Sequence, residues 1–334
     1  MLKRLWTRTR DWFARLFRRE PTPGRFESGS AFSLHGLVGT APFVWPSRDY
    51  LVYVPRGRPR FTRAPLVVLL HGCKQTPEEI AQGAHIVDFA DRTGTVVLLP
   101  RQKDHANPWR CWNWFESRTA AGKGEAAIVA AQIRRVRRRY RIDRRRVLVA
   151  GISAGGAMAA VMGVRFPDLV RGVAVHSGLA CGAASSPLTA LDVMKRGPDR
   201  DVEAIGTAAR AATRRDVRVP LLAVQGEDDP IVAPRNAISL VRQYLRLNGH
   251  PAPDGADGAA TLPPADATHS IVQPDGRVET VHEWRRESRL VARYVAITKL
   301  GHAWSGGDPA LPYNDAAPPD ATALVGAFLD DALS

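Results

Sequence analysis

The segment GISAG at residues 151–155 carries the clearest chemical signal in the chain, because it matches the pattern G-x-S-x-G. It stands between the strand-like run RVLVA and the helix-like run AGGAMAAVMG. A serine on such a strand-to-helix turn exposes its hydroxyl oxygen, and the helix N-terminus beneath it offers free N–H groups to a developing negative charge. Nucleotide-binding turns need G-x-G-x-x-G or a P-loop lysine, and neither occurs here. We therefore predict that Ser153 is a nucleophile.

A serine hydroxyl needs a base, and the base needs an orienting acid. In chains with this motif the acid and then the histidine follow the serine. The strand-like run PLLAVQ leads into GEDDPIV, and YVAIT leads into KLGHAW. Both segments follow strand ends, where the active sites of open α/β sheets form. His302 is the predicted base, and Asp228 and Asp229 are the candidate acids.

An oxyanion formed at this serine requires two N–H donors. One comes from the residue after the serine, Ala154, and the other from a loop after an early strand. The loop HGCKQ after the run LVVLL fits the second position, since Gly72 allows close backbone approach. We predict the N–H of Cys73 as this donor. His71 precedes the serine and is expected to brace the loop.

These residues require a sheet with helices around it. Short apolar runs predict strands at residues 49–54, 66–70, 95–100, 146–150, 172–176, 220–224 and 293–298. Helical patterns lie between or after them at residues 77–92, 124–140, 154–166, 235–248 and 321–333. This alternation predicts an α/β fold with a mostly parallel, doubly wound sheet. Residues 180–216 interrupt the rhythm, and residues 250–276, rich in Pro, Ala, Gly and Asp, predict a mobile loop.

The net charge is local rather than general. The 334 residues include 47 Lys and Arg against 33 Asp and Glu, a formal net charge of +14. Residues 1–25 hold eight basic and two acidic residues, and residues 134–146 hold nine basic and one acidic, so these two segments account for the whole excess. Hydrophobic residues at 45% exclude a disordered chain, and three cysteines exclude a disulfide scaffold. The arginine run lacks interleaved aromatic residues, so a nucleic-acid partner is not expected.

The pattern of residues 1–20 predicts a basic amphipathic helix, and the residues that follow it up to residue 24 predict a linker. The catalytic domain is predicted to comprise residues 25–334. Such a helix suits an anionic membrane or a polyester granule surface, or it packs on the domain or a partner chain. No secretion signal is visible, because charges interrupt every short apolar run. The uncharged stretch 147–164 contains four glycines and is interpreted as a strand turning into a helix rather than a membrane span.

Four motifs, HGCKQT, GISAGGAMA, GEDDPIVAPRN and GHAWSGGD, occur in this order. From about residue 49 to 332 the chain resembles the catalytic domain of the polyhydroxyalkanoate (polyhydroxybutyrate) depolymerase esterases, which are related to feruloyl and acetylxylan carbohydrate esterases. The resemblance implies an α/β-hydrolase fold and a serine esterase that works through an acyl-enzyme, with no metal or organic cofactor. It assigns the acid to Asp229, the fourth position of G-x-x-D-x-x-V, beside Ser153 and His302, and it assigns Cys73 to the oxyanion hole.

Several alternatives stay open at this level. The substrate is expected to be a short-chain hydroxyalkanoate ester or a similar ester, with feruloyl or acetylxylan ester hydrolysis as the runner-up and a surface-binding protein on a hydrolase scaffold as the non-enzymatic rival. Trp304 and Trp114 are candidate substrate contacts, although loop aromatics also simply pack. Cys73 and Cys111 could pair in an oxidising compartment, leaving Cys181 free. The resemblance favours an extracellular location. Because no secretion signal is visible, a cytoplasmic or granule-associated location also stays open.

Overall fold

The computed structural model describes residues 23–34, 46–58, 62–213, 218–250 and 261–333. The predicted helix of residues 1–20 lies outside the described residues. Apolar runs form a ten-stranded sheet in the order β1-β2-β4-β3-β5-β6-β7-β10-β9-β8. The bounds of its strands are β1 Arg25–Phe32, β2 Ser47–Val54, β3 Ala64–Leu70, β4 Val96–Pro100, β5 Ile142–Ile152, β6 Gly172–His176, β7 Leu221–Gly226, β8 Ala267–Val272, β9 Val278–Arg286 and β10 Arg289–Ile297.

The central strands are parallel and the edges are antiparallel. Six strands run parallel to one another, in the spatial order β4, β3, β5, β6, β7 and β10. Their carboxyl ends therefore meet at one edge of the sheet. At one side β2 and β1 add antiparallel pairs, and at the other side β9 and β8 do the same. A separate pair of two-residue strands, β11 Trp304–Ser305 and β12 Asn314–Asp315, lies beyond β10. The sheet is therefore mostly parallel, as the sequence predicted.

Helices cover both faces of the sheet and bury two apolar cores. The helices are α1 Pro77–Gly83, α2 Ile86–Thr93, α3 Ser117–Ala120, α4 Gly124–Arg139, α5 Ala154–Arg165, α6 Pro187–Arg196, α7 Val202–Ala211, α8 Arg235–Leu247 and α9 Ala321–Leu333. One core joins the sheet to α4, α5 and α8, with fully buried side chains such as Ile133 and Tyr244. The other joins it to α1, α2 and α9 through residues such as Phe89 and Phe328. Both faces of the central strands are buried, which explains their continuous apolar runs.

Three regions differ from the sequence prediction. The helix predicted at 77–92 is two helices, because the carbonyl of Gly83 accepts from the N–H of Asp308 instead of continuing the ladder, and His85 adopts a left-handed φ of 48°. The prediction of a loop at 250–276 is wrong for Ala267–Val272, which form β8 and pair with β9. Residues 251–260 lie outside the described residues. The interruption at 180–216 contains α6 and α7.

Within the part of the chain that the structure describes, no helix is long and apolar enough to span a bilayer. The stretch 147–164 is the end of β5 followed by α5, in agreement with the interpretation from sequence. These two elements place Ser153 between them. The site is therefore built at the carboxyl edge of the parallel strands.

Candidate active site

Ser153 occupies the turn between β5 and α5. Its backbone has φ 56° and ψ −124°, a conformation that side-chain-bearing residues rarely adopt and that costs about 1–3 kcal/mol. Its N–H donates to the carbonyl of His176 at 3.0 Å, and its carbonyl accepts from the N–H of Ala157 at 2.9 Å. These bonds hold the strained turn between the end of β6 and the first turn of α5. The hydroxyl-bearing side chain is thereby fixed above the sheet edge.

The glycines on either side of Ser153 are required by close backbone packing. A Cβ atom at Gly155 would lie 2.2 Å from the carbonyl oxygen of Leu70. One at Gly151 would lie 2.5 Å from the backbone of Gly155. Both distances are far below van der Waals contact, and the obstructing atoms belong to backbone that cannot move aside. Only glycine lets the turn close against the end of β3.

His302 and Asp229 form a buried pair opposite this turn. The Nδ1–H of His302 donates to Oδ2 of Asp229 at 2.8 Å, and both side chains are almost wholly buried. The other carboxylate oxygen accepts from the N–H groups of Ile231 and Val232 at 2.9 and 2.8 Å. Gln225 donates a further bond to Oδ2 at 3.2 Å. This set of donors fixes the carboxylate in one orientation.

The environment of Asp229 favours its charged form. Burial raises the pKa of its carboxyl group, but the hydrogen bond and charge of His302 and the two backbone N–H bonds outweigh burial and leave the pKa below its ordinary value. A charged carboxylate at Nδ1 holds the imidazole with its proton on that nitrogen. The opposite nitrogen, Nε2, is then free to accept a proton.

Two loops from neighbouring parallel strands bring the pair together. Asp229 follows β7 and His302 follows β10, and these strands are adjacent in the sheet. The N–H of Asp228 donates to the carbonyl of Leu300 at 3.2 Å, which joins the loops directly. A Cβ atom at Gly226 would lie 2.2 Å from the same carbonyl oxygen, so glycine is needed for this approach. The structure brings Asp229, and not the exposed Asp228, to the imidazole.

The two predicted oxyanion donors lie beside Ser153. Within the described residues, no acceptor meets the N–H of Cys73 or of Ala154. Their neighbours are engaged: the N–H of Gly72 donates to Oε1 of Gln75 at 2.8 Å, and that of Lys74 donates to the carbonyl of Trp109 at 2.6 Å. Cys73 therefore presents an uncommitted N–H from a loop whose other backbone groups are fixed. This is the condition for a preorganised oxyanion hole.

A disulfide and a neutral histidine brace the oxyanion loop. Cys73 is bonded to Cys111, and Cys181 is a buried free thiol. The Nδ1–H of His71 donates to the carbonyl of Gly72 at 2.8 Å, and its Nε2 accepts from the N–H of Gln102 at 3.2 Å. Burial lowers the pKa of His71 to about 4, so the ring stays neutral and can make both bonds. The loop after β3 is thus tied to the loop after β4.

The loop after β4 is held in turn by a buried ion pair. Arg48 on β2 and Glu125 on α4 lie 3.2 Å apart, with side chains 3% and 1% exposed. Glu125 also accepts from the side chain of Gln102 at 2.6 Å and from the N–H of Asn113 at 2.8 Å. The buried charges are therefore paired and hydrogen-bonded, as the interior requires. This network was not foreseen from the sequence, because its members lie far apart in the chain.

Ser153 and His302 line one cavity of about 120 Å³. The loop of Gly72, Cys73 and Gln75 forms one wall. The remaining lining residues, Ile152, Met194, Ile231 and Tyr313, come from four different segments. Tyr313 packs edge-on against the ring of His302, with centroids 6.3 Å apart. Met194, Ile231 and Tyr313 are missing from the sequence prediction, and no motif marks them.

Neither predicted tryptophan contact is among the described residues that line this cavity. Trp304 is buried, donates from Nε1 to Oγ1 of Thr322 at 3.1 Å and stacks on His176 with centroids 5.4 Å apart. Its backbone N–H bonds the carbonyl of Tyr313 at 2.8 Å, so it positions a cavity residue rather than lining the cavity. Trp114 is buried against Phe115 in the core. Within the described residues, neither indole is therefore part of the lining of the cavity that holds Ser153.

His176 is a buried histidine beside the pair that sequence reasoning also missed. Its Nδ1 lies 3.2 Å from Oγ of Ser177, and its Nε2 has no partner among the described residues. Burial lowers its pKa to about 3, and the nearby charge of His302 contributes in the same direction. The described residues contain no cluster of three or more His, Cys, Asp or Glu side chains suited to hold a metal ion.

This arrangement has counterparts in known proteins. A family profile described as "Esterase PHB depolymerase" matches residues 48–268. The poly(3-hydroxyalkanoate) depolymerase C of Paucimonas lemoignei is 33% identical over 255 residues, which cover 75% of this chain and 57% of that protein. The chain belongs to the esterase PHB depolymerase family. The poly(3-hydroxybutyrate) depolymerase of Ralstonia pickettii is 28% identical over 208 residues, 56% of this chain and 41% of that protein.

Other relatives of this PHB depolymerase family member carry different names. Feruloyl esterase B of Neurospora crassa is 29% identical over 224 residues, 64% of this chain and 74% of that protein. An acetyl xylan esterase structure from Aspergillus awamori has a TM-score of 0.64 at 18% identity, over 83% of this chain and 94% of its own. That likeness, with the sheet described above, establishes the α/β-hydrolase fold. The chain spans about half the length of these two depolymerases.

Proposed function

We propose that this protein is a serine esterase that hydrolyses short-acyl esters through an acyl-enzyme. The observation that carries the proposal is the buried bond between Asp229 and His302, formed at the rim of a cavity that also holds Ser153. A charged carboxylate buried behind an imidazole serves to orient a general base. Family membership and the relatives' printed names support ester hydrolysis as the reaction.

In the proposed reaction Oγ of Ser153 forms a bond to the ester carbonyl carbon while its proton passes to Nε2 of His302. The carbonyl oxygen takes the negative charge and accepts bonds from the N–H groups of Cys73 and Ala154. The C–O bond to the alcohol then breaks, and the alcohol leaves with the proton from His302. Water attacks the acyl-enzyme with the same base, and the carboxylic acid and free Ser153 result.

The cavity favours a small acyl group. Its volume of about 120 Å³ is below that of an engineered cavity of roughly 150 Å³ that holds benzene. A hydroxybutyryl or acetyl group fits within such a space, whereas part of a feruloyl group, with a substituted ring and a propenoyl arm, would extend beyond it towards solvent. Apolar side chains of Ile152, Met194 and Ile231 suit an aliphatic acyl chain. We therefore favour soluble hydroxyalkanoate oligomers, with acetyl esters of sugars as the second candidate.

The test combines active-site labelling with a substrate panel. A fluorophosphonate probe should label the wild-type protein and the Ser239→Ala control, whose serine lies on α8, but not Ser153→Ala. Ser153→Ala should also lower kcat by at least about 10⁴-fold, since triad members act as a unit. Hydrolysis of hydroxybutyrate dimer and trimer should exceed that of methyl ferulate.

Three results would change the proposal: the first rejects the mechanism, and the other two reassign the substrate. Labelling that persists in Ser153→Ala removes the serine from the mechanism. Rapid release of ferulate with no cleavage of hydroxybutyrate oligomers keeps the mechanism and reassigns the acyl group. Faster release of acetate from acetylated xylan than of hydroxybutyrate selects the second candidate.

A further inference from the structure

A groove of about 780 Å³ lies at the edge of the sheet opposite the active site. Arg137 at the end of α4, Arg144 near the start of β5, Arg165 at the end of α5 and Arg171 just before β6 line it. Ser153 follows the other end of β5, so the strand separates the groove from the cavity. Arg137 and Arg144 belong to the arginine run at 134–146, which the proposed esterase mechanism does not use.

The charges in this groove are not balanced by the protein. Within the described residues none of the four arginines forms an ion pair, and the groove holds one carboxylate, the exposed Asp168. The Nε–H of Arg171 is buried with no partner. Burial lowers the pKa of Arg137, and the neighbouring charges of Arg144 and Arg171 lower it further. Every charge that acts on Arg137 in this way is another arginine.

Such a cluster costs free energy unless an anion occupies it. Arg165 and Arg171 donate to the backbone carbonyls of Ala120 and Pro167, which carry no net charge. Like charges that converge in a concave site therefore repel one another without a counter-charge. Guanidinium groups bind phosphate oxygens with two parallel N–H bonds, so several of them suit an anion with several phosphates. The excess of positive charge in the groove exceeds what one orthophosphate ion neutralises.

The shape and lining of the groove narrow the ligand further. A concave groove accepts a linear chain, whereas a flat bilayer surface cannot enter it. The described side chains that line it include no aromatic ring, so they offer no platform for stacking nucleic-acid bases. We propose that the groove binds a linear condensed phosphate, such as inorganic polyphosphate, at a site separate from the esterase cavity. This inference does not depend on the proposed function.

The test measures binding of a short inorganic polyphosphate to the full chain by calorimetry at several salt concentrations. Arg137→Gln/Arg144→Gln should weaken binding by about tenfold or more and lower the slope of log K against log salt by about 1 to 2. The matched control, Arg92→Gln/Arg289→Gln, removes the same charge from exposed positions on α2 and β10 that do not line the groove. It should bind nearly as the wild type does. All three proteins should fold and show the same ester hydrolysis, and the groove variant should unfold at the same or a higher temperature than the wild type in the absence of an anion, because two of the repelling charges are removed.

Four outcomes would overturn the inference. The first is that the wild type fails to bind polyphosphate, and the second is that the control variant weakens binding as much as the groove variant does. The third is that single-stranded nucleic acid of equal charge binds more tightly at the same arginines. The fourth is that anionic phospholipid vesicles bind where polyphosphate does not. The second outcome reduces the effect to net charge. The last two assign the groove to another class of ligand.

Discussion

Two adjacent aspartates in the loop after β7, Asp228 and Asp229, differ in burial and in hydrogen bonding. Asp229 is buried and accepts bonds from His302 and from two backbone N–H groups, whereas the side chain of Asp228 is exposed. The sequence offered both as acids, and only the motif spacing of the resemblance separated them. The difference in surroundings gives this choice a direct test.

We predict that Asp229→Asn lowers kcat by about 10⁴-fold, because an amide cannot stabilise the imidazolium and favours the wrong tautomer. Asp228→Asn, the matched control one residue away, should retain most of the activity. Steady-state hydrolysis of a soluble short-acyl ester measures both variants. A larger loss in Asp228→Asn would reassign the acid.

The turn at Ser153 depends on the absence of a single side-chain atom. We predict that Gly155→Ala abolishes or strongly lowers activity and stability, because its Cβ atom would lie 2.2 Å from a backbone oxygen of β3. Gly301→Ala is the control, since a Cβ atom there meets nothing within 4 Å although it adjoins His302. Thermal unfolding and ester hydrolysis of both variants provide the measurement. Equal effects of the two substitutions would contradict the steric account.

The sequence could indicate residues that sit inside local motifs, and it missed those that do not. Ser153, Asp229 and His302 each follow a strand within a recognisable turn, and the structure brings them to one place. Tyr313 and Met194 reach the cavity only through tertiary packing, which leaves no local pattern. Trp304 and Trp114 lie near motif residues in sequence, but both are buried outside the lining of this cavity, so sequence proximity did not predict their position.

At the scale of elements, the loop after β4 is held by charges inside the protein. Arg48 and Glu125 are both almost fully buried, so removal of one leaves the other without compensation. We predict that Arg48→Met lowers the free energy of unfolding by about 3–5 kcal/mol. Arg25→Met, which breaks the exposed pair with Glu27, should cost less than about 1 kcal/mol. Urea unfolding measures both variants, and similar losses would contradict the role of burial.

Periodicity predicted the central elements well and the edges poorly. Strands buried on both faces are continuous apolar runs, so all seven predicted strands have counterparts in the sheet. Strand β8 has six exposed residues and is a strand only because its backbone pairs with β9, a bond pattern that composition does not reveal. The break between α1 and α2 likewise depends on a distant residue, Asp308.

At the scale of the molecule, buried neutral histidines make stability depend on pH. The pKa of His71 is about 4 and that of His176 about 3 in the folded protein, against about 6.5 in an unfolded chain. Between these values the unfolded state binds protons that the folded state does not, so stability falls as the pH decreases from about 6.5 towards 4.

We predict that His176→Phe reduces this pH dependence by about 1 kcal/mol per pH unit, because it removes one such proton site while keeping a ring against Trp304. The exposed His269 on β8 provides the control, His269→Phe, which makes the same substitution outside the buried interior. Urea unfolding at several pH values between 7 and 5 gives the slopes. An unchanged slope in His176→Phe would show that this ring is not kept neutral by folding.

The adjacency of β7 and β10 also governs how the chain acquires its site during folding. Asp229 and His302 are 73 residues apart in sequence and meet only when β10 docks beside β7. Contacts between residues so distant require closure of a long loop, which makes such steps slow in folding. On the ribosome Ser153 is synthesised long before His302, so under the proposed mechanism the nascent chain stays inert until its last strands have emerged. Recovery of catalysis during refolding therefore reports the insertion of β10 and follows the burial of the earlier strands.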